Sequence, residues 1–285
     1  MFCNPTTMNK HVYSDTLNNQ IRISAFDNFA GSTHFNQIAA KFVVSGAKTY
    51  VINGKKFLVK QGEYVIGNNN QYSEVHINQQ TVGLCIDIAP EIITEITDSI
   101  FDTTDFRNFI LSDKFLINKY KAQHTHLGDQ LNKLSRLLLV ENQNSLLSHE
   151  LFYSIGESIV RDQSIIFEQF SKLRYKKQLV NETVFRNLLN AKMYIDDNFL
   201  KVITITELTQ LACMSKYDFI RRFKSAFLVT PFQYLIKKRL LHAKLLLLQG
   251  EKVSQVALLT GFADTAAFSK AFKNQFGCAP SQIKI

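Results

Sequence analysis

The last hundred residues contain one unit twice. When the stretch LTQLACMSKYDFIRRFKSAFLVTPFQYL, from Leu208, is set against VALLTGFADTAAFSKAFKNQFGCAPSQIK, from Val256, Phe219, Phe223, Lys224, Phe227 and Pro231 recur as Phe268, Phe272, Lys273, Phe276 and Pro280, each displaced by 49 residues. An internal repeat constrains a fold more than any single motif, because both copies must be the same supersecondary unit. Each copy reads as a helix, a tight turn and a second helix. In the first, Thr204-Ile205-Thr206-Glu207 has capping-box spacing and opens a helix to about Ala212. Cys213-Met214 form the turn, Ser215 caps the next helix and Asp218 favours its positive end, while Phe219 and Phe223 supply a buried edge. In the second copy Gly261 supplies the turn and Asp264 the cap of a helix from Thr265 to about Gln275.

Thr230-Pro231-Phe232-Gln233 between the copies is a second capping box, with proline at the first helical position, and its helix should run to about Gln249 before Gly250. Such a helix is roughly 28 Å long at about 1.5 Å per residue. Successive major-groove faces on one side of B-DNA recur every 34–36 Å or so, a comparable spacing. The charge is concentrated in the same place. Residues 1–180 carry 18 Lys+Arg against 17 Asp+Glu, whereas 181–285 carry 15 against 7. A basic region of this size suits nucleic acid, an anionic membrane surface or a solvated face, and charge alone does not choose among them.

The preceding residues change character twice. From about 21 to 89 the runs IAAKFVV, KTYVING, KKFLVK, GEYVIG, YSEVHI and TVGLCIDIA are apolar or alternating, separated by turn residues such as Asn53-Gly54, Gln61-Gly62 and Gly67-Asn68-Asn69-Asn70. Asn53-Gly54 is a strong hairpin signal, so this region should form a compact antiparallel sheet or barrel. After Pro90 the periodicity lengthens to that of amphipathic helices near 91–111, 123–141 and 146–173. In the last of these, Leu147, Leu151, Ile155, Ile159, Ile166 and Phe170 fall on one side of a long helix. Such a stripe is more often intramolecular core than an interface, but 123–173 carry more apolar surface than one small sheet needs, which suggests a homodimer contact. The polar, basic residues 173–180 read as a linker.

The first twenty residues are polar and no apolar run approaches the roughly 18 residues of a membrane span, so a cytoplasmic protein is expected, with no membrane partner. Cys3, Cys85, Cys213 and Cys278 are scattered without C-x-x-C or nearby His spacing, which points to reduced thiols and no metal site.

The C-terminal pattern resembles the DNA-binding domain of the AraC/XylS family of bacterial transcription regulators. The resemblance is carried by YIDDNF at 194–199, TITELTQLACMS at 204–215, Phe223-Lys224, TPFQYLIKKRLLHAKLLLL at 230–248, VALLTGFADTAAFSKAFK at 256–273 and FGCAPSQ at 276–282. Three departures stand out: Leu228 where the family has glycine after the first recognition helix, Cys213 in place of the usual turn glycine, and Ile283-Lys284 in place of a closing tyrosine-arginine. The resemblance implies an α+β chain: an N-terminal antiparallel sheet or cupin-like barrel followed by helices (1–172), a linker (173–180), and an all-α domain (181–285) with two helix-turn-helix units joined by a linker helix. It implies duplex DNA as partner, read by Ser215, Lys216, Tyr217, Ile220, Arg221 and Lys224 of the first unit and by Thr265, Ala266, Ser269, Lys270 and Lys273 of the second. Arg221 suits a guanine O6/N7 contact, while Arg222, Lys224 and Lys273 suit phosphate or solvent. Phe223, Phe272, Phe227, Phe276, Leu211 and Ala257 are core by spacing, and Arg239 is assigned a structural pairing.

By the same resemblance the chain is an activator rather than an enzyme, with RNA polymerase as a further partner and no cofactor. Its N-terminal half would be a sensor for a small effector or a dimerisation domain. A cupin-type metal enzyme fused to a DNA-binding domain, and control by a protein partner, are the alternatives. Of the histidines only His34 and His76 lie in or near the sheet, too few for a cupin metal set.

Overall fold

The computed structural model describes residues 8–283 apart from 36, 53, 69–70, 102–103, 113–114, 117, 142–146 and 174–177. It divides into two compact units, Met1–Glu168 and Gln169–Ile285. Residues 174–177 of the expected 173–180 linker lie outside the described residues, and a helix has already begun at Gln178.

Among the described residues unit 1 has nine consecutive strands: β1 (Met8–Ser14), β2 (Gln20–Phe26), β3 (Phe29–Phe35), β4 (Ile38–Ser45), β5 (Ala47–Ile52), β6 (Lys55–Lys60), β7 (Glu63–Gly67), β8 (Gln71–Ile77) and β9 (Thr81–Ile88), with β10 (Lys119–Lys121) later in the chain. They form two antiparallel sheets. Sheet A has the order β1-β2-β9-β4-β7-β10 and sheet B the order β3-β8-β5-β6. Strictly alternating strands such as β8, buried at Gln71, Ser73, Val75 and Ile77, present one face to solvent, whereas β4 is buried at each of Ile38–Val43 because both its faces are covered. Gly54 turns the β5–β6 hairpin with φ +73°, and Asn53 beside it lies outside the described residues.

Four helices follow: α1 (Pro90–Ile100), α2 (Thr104–Leu111), α3 (His126–Leu139) and α4 (His149–Ser171). Leu127, Leu131, Phe152, Ile155 and Ile159 pack with Ile21, Phe42, Leu84 and Ile86 of sheet A, and a second core of Phe35, Val43, Ile52, Val65 and Val75 joins the two sheets. Thr125 and Asp162 cap α3; the Asp162 carboxylate accepts from the backbone of His126 and Leu127 at 3.0 and 2.9 Å.

The architecture agrees with the expected sheet, helices and all-α end, and differs in four particulars. The sheet begins at Met8 rather than near residue 21, because β1 is a polar edge strand whose pairing with β2 leaves no hydrophobic alternation to read. The 91–111 segment is two helices, and a strand, β10, lies in the helical region. Leu147 precedes α4 instead of lying on it. The buried face of α4 runs through Phe152, Ile155, Ile159 and Gln163, so Ile155 and Ile159 of the expected stripe are buried while Leu151 and Ile166 at its border are half-buried. Most of the apolar positions of α3 and α4 that suggested a homodimer contact are used inside unit 1.

Unit 2 contains α5 (Gln178–Asn198), α6 (Ile205–Ala212), α7 (Lys216–Phe227), α8 (Pro231–Leu248), α9 (Val253–Leu259) and α10 (Thr265–Phe276). Among the described residues no helix is long and apolar enough to cross a membrane.

Candidate nucleic-acid interface

The sequence repeat is a structural repeat. Phe219–Phe223 and Phe268–Phe272 both have ring centroids 5.5 Å apart, and Phe223–Phe227 and Phe272–Phe276 both 4.6 Å. In each copy the first two of these rings are fully buried and the third half-buried, so the ladder seats α7 and α10 on the body of the unit. Every cap read from the sequence forms. Thr204 and Glu207 close the capping box of α6, and Thr230 and Gln233 that of α8; Ser215 accepts from the Asp218 amide and Asp264 from the Ala267 amide.

Both departures from glycine fall on left-handed backbone: Cys213 has φ 51° and Leu228 φ 64°, where the repeat-equivalent of Leu228, Gly277, has φ 76°. A side chain costs energy in that region, so the first unit carries strain that the second avoids. Gly261 turns the second unit with φ +74°, and a Cβ there would also press on the Arg239 guanidinium. Arg239 is 8% exposed and donates Nε to Phe199 O at 2.7 Å, Nη2 to Lys201 O at 2.9 Å and Nη1 to Gly261 O at 3.0 Å. It ties the end of α5 and the second turn to α8, the structural role expected of it. Burial lowers its pKa.

A second knot on α8 was not read from the sequence. Asp196 accepts from Tyr234 at 2.8 Å and pairs with Lys238 at 2.8 Å and Lys192 at 3.1 Å. Burial raises its pKa, but Lys192, Lys238 and Tyr234 together outweigh burial and hold it below the usual carboxylate value. The Lys192–Asp196 spacing of four residues was the available signal; the two α8 partners are long-range.

The sequence-predicted contact residues occupy the outer sides of the two second helices. On α7 Lys216, Tyr217 (78% exposed), Arg221 and Lys224 are exposed and Ile220 is half-buried, with Ser215 exposed at the cap. On α10 Thr265, Ala266, Lys270 and Lys273 are exposed and Ser269 is half-buried. Two side chains differ from expectation. Leu211 is 40% exposed rather than core, because the eight-residue α6 buries Leu208 and Ala212 and carries residue 211 to the shoulder. Arg222 is largely covered and bonds to Asp218 at 3.2 Å, so it is not a free phosphate ligand. The same carboxylate holds Arg221 at 2.8 Å and raises its pKa. In unit 1, His76 is exposed beside Glu74, and among the described residues no three His, Cys, Asp or Glu side chains gather where a metal could be held.

Comparison with known proteins matches residues 208–284 to the helix-turn-helix domain model. An uncharacterized HTH-type transcriptional regulator of Haemophilus influenzae is 40% identical over 256 residues, 82% of this chain and 81% of that protein. The probable transcriptional regulator LumQ of Photobacterium leiognathi is 27% identical over 169 residues, 59% of this chain and 63% of LumQ. The transcriptional activator RhaS of Escherichia fergusonii is 22% identical over 249 residues, 85% of this chain and 83% of RhaS. With two capped helix-turn-helix units, a linker helix between them and the Haemophilus influenzae regulator 40% identical along most of its length, the chain belongs to the AraC/XylS family of DNA-binding transcription regulators.

Proposed function

We propose that this regulator sets α7 and α10 into successive major grooves on one side of its operator and works as a cytoplasmic activator that contacts RNA polymerase, governed by unit 1. The observation that carries the reading is the repeat itself: at equivalent positions both second helices turn basic and small polar side chains outward from a buried aromatic ladder. The 18 residues of α8 give roughly 27 Å between the units' attachment points, near one DNA turn. RhaS, named an activator, supports the direction of control.

In this reading Lys216, Tyr217 and Arg221 reach base edges and Lys224, Lys270 and Lys273 hold phosphates, while Ser215 stands at a helix N-terminus suited to phosphate. Thr265 and Ala266 offer apolar contact to a thymine methyl and discriminate weakly. Unit 1 acts on this machinery through a small effector, through dimerisation or through both.

The test is footprinting of the full chain on genomic fragments, followed by duplex binding across a salt series. About four neutralised phosphates give a slope of roughly −4 in log K against log salt. A folded chain with no duplex binding at low salt would overturn the reading.

A further inference from the structure

The space between the two sheets of unit 1 is mostly apolar, yet among the described residues Arg22, Lys41, Lys48 and Asp87 enter it, with Glu63 paired to Lys119 at its β7 side. Strand register puts Arg22 of β2 opposite Cys85 of β9, and Cys85 opposite Lys41 of β4; one row away Ser24 stands opposite Gly83. Asp87 is shared, accepting from Arg22 and from Lys41 Nζ, the latter at 3.0 Å. From sheet B, Lys48 of β5 crosses the gap. It is 4% exposed, its Nζ donates to Ser24 Oγ at 2.8 Å, and it occupies room left by Gly83, since a Cβ at residue 83 would run into the ammonium.

Lys48 has no carboxylate within ion-pair distance among the described residues, and Ser24 offers only a neutral acceptor. A buried ammonium without counter-charge costs several kcal/mol, so this arrangement is unbalanced. Burial lowers the Lys48 pKa, Cys85 opposes the change and the charge on Lys41 adds to it. Two more donors lie on the facing strands. The hydroxyl of Tyr50, on the same inward face of β5, has no hydrogen-bond partner among the described residues but is not sealed from solvent, and Arg22 Nε is buried without a partner. Cys85 faces Arg22 and Lys41 in register, and Lys48, bonded to Ser24 and set against Gly83, lies one row along the same face.

We propose that Lys48, Tyr50 and Ser24 form the head-group subsite for a small organic carboxylate taken up between the sheets. The ligand supplies the negative charge that Lys48 lacks: one oxygen takes the ammonium and the other the phenol. Two oxygens and a single charge match one ammonium and one neutral hydroxyl, whereas phosphate, near −2, gives up far more hydration in an apolar gap. The inference deepens the regulatory reading of unit 1 by naming the ligand class, and it is tested without DNA so that the two stand or fall separately.

The experiment titrates the full chain with sodium acetate and sodium propionate against sodium chloride at matched ionic strength. The readouts are the thermal midpoint and saturation transfer to the acetate methyl protons. A saturable carboxylate-dependent rise is expected, larger than any with inorganic phosphate. Lys48→Met should abolish the rise and increase the midpoint in chloride, an unpaired buried charge having gone. Tyr50→Phe should leave the chloride midpoint in place and weaken acetate about tenfold, the equivalent of one hydrogen bond to a charged group. An equal acetate response in Lys48→Met, no saturable response in the unaltered chain, or an equal response to phosphate overturns the proposal. Where Lys48→Met does not fold, unchanged acetate affinity in Tyr50→Phe overturns it. Duplex binding by the same preparation is read apart: uptake of acetate without DNA binding sinks the DNA reading and leaves this site, and the reverse sinks the site alone.

Discussion

Replacing Arg239 with methionine keeps an unbranched side chain of similar bulk and removes three hydrogen bonds at once. Each hydrogen bond from a charged donor contributes about 1.5–3 kcal/mol net, which sets an upper bound of roughly 5–9 kcal/mol for the three. Two opposing effects reduce it. The guanidinium is buried without a carboxylate among its hydrogen-bond partners, so its own desolvation is recovered on substitution. The freed carbonyls belong to Phe199, half-buried, and to Lys201 and Gly261, both exposed, so water can reach them and the penalty for leaving them unpaired stays near its lower end. A loss of about 3 kcal/mol results, to be set against roughly 6–17 kcal/mol for a unit of this size. At about 2.1 cal/mol/K of unfolding entropy per residue, the unit's midpoint falls by roughly 12 °C, while Arg239→Lys, which cannot span three carbonyls, falls by about half as much or more. Calorimetry of the full chain, with the transition of unit 2 assigned by its own chemical shifts, measures this directly. A shift under about 0.5 kcal/mol in Arg239→Met would refute the tether. Unchanged stability with weakened DNA binding would show instead that Arg239 touches phosphate.

The strained cap predicts the opposite sign: Leu228→Gly relieves roughly 1–2 kcal/mol of left-handed strain, returns about 0.4–1 kcal/mol through the freer unfolded chain, and gives up little burial because Leu228 is 67% exposed. A midpoint raised by a few degrees is expected; a lowered one contradicts the strain. Asp196 is depressed in the folded state, so its contribution is present above the unfolded carboxyl value of about 3.9 and is lost as pH falls through the lower folded value. Asp196→Asn should therefore be less stable at neutral pH and lose less between there and acid, and parallel pH–stability curves would contradict this. Asp218→Asn should release Arg221, strengthening binding to random duplex while flattening preference at the base Arg221 reads, which competition assays with single-base operator variants will show. Across a saturated operator, base changes under α7 should cost about 1–3 kcal/mol and those under α10 markedly less, and equal information under both would sink that asymmetry.

What could be read from the residues, and what could not, follows the range of the interactions involved. Capping is a three-residue affair, so Thr204 with Glu207, Thr230 with Gln233, Ser215 and Asp264 were all legible, and a fixed displacement of 49 residues made the second ladder of phenylalanines predictable from the first. The left-handed backbone at Cys213 and Leu228 was legible too, because the family resemblance marks both as departures from glycine. Leu211 was misjudged by a single rotation of a helix too short to show its own periodicity, and β1 because its apolar residues Val12 and Tyr13 are adjacent, across a register shift, rather than alternating. The buried lysines expose a deeper limit. Alternation along a strand tells which side chains share a face but not whether the other face is wet. In β4, Ala39, Lys41 and Val43 face sheet B while Ala40 and Phe42 face the helices, so neither direction leads to solvent and Lys41 is buried with its neighbours. Lys48 follows the same rule from the other sheet: it shares the inward face of β5 with Tyr50 and Ile52. Only the placement of a second sheet above it turns this lysine into an interior charge without a carboxylate partner among the described residues, which the pattern of a single strand does not reveal.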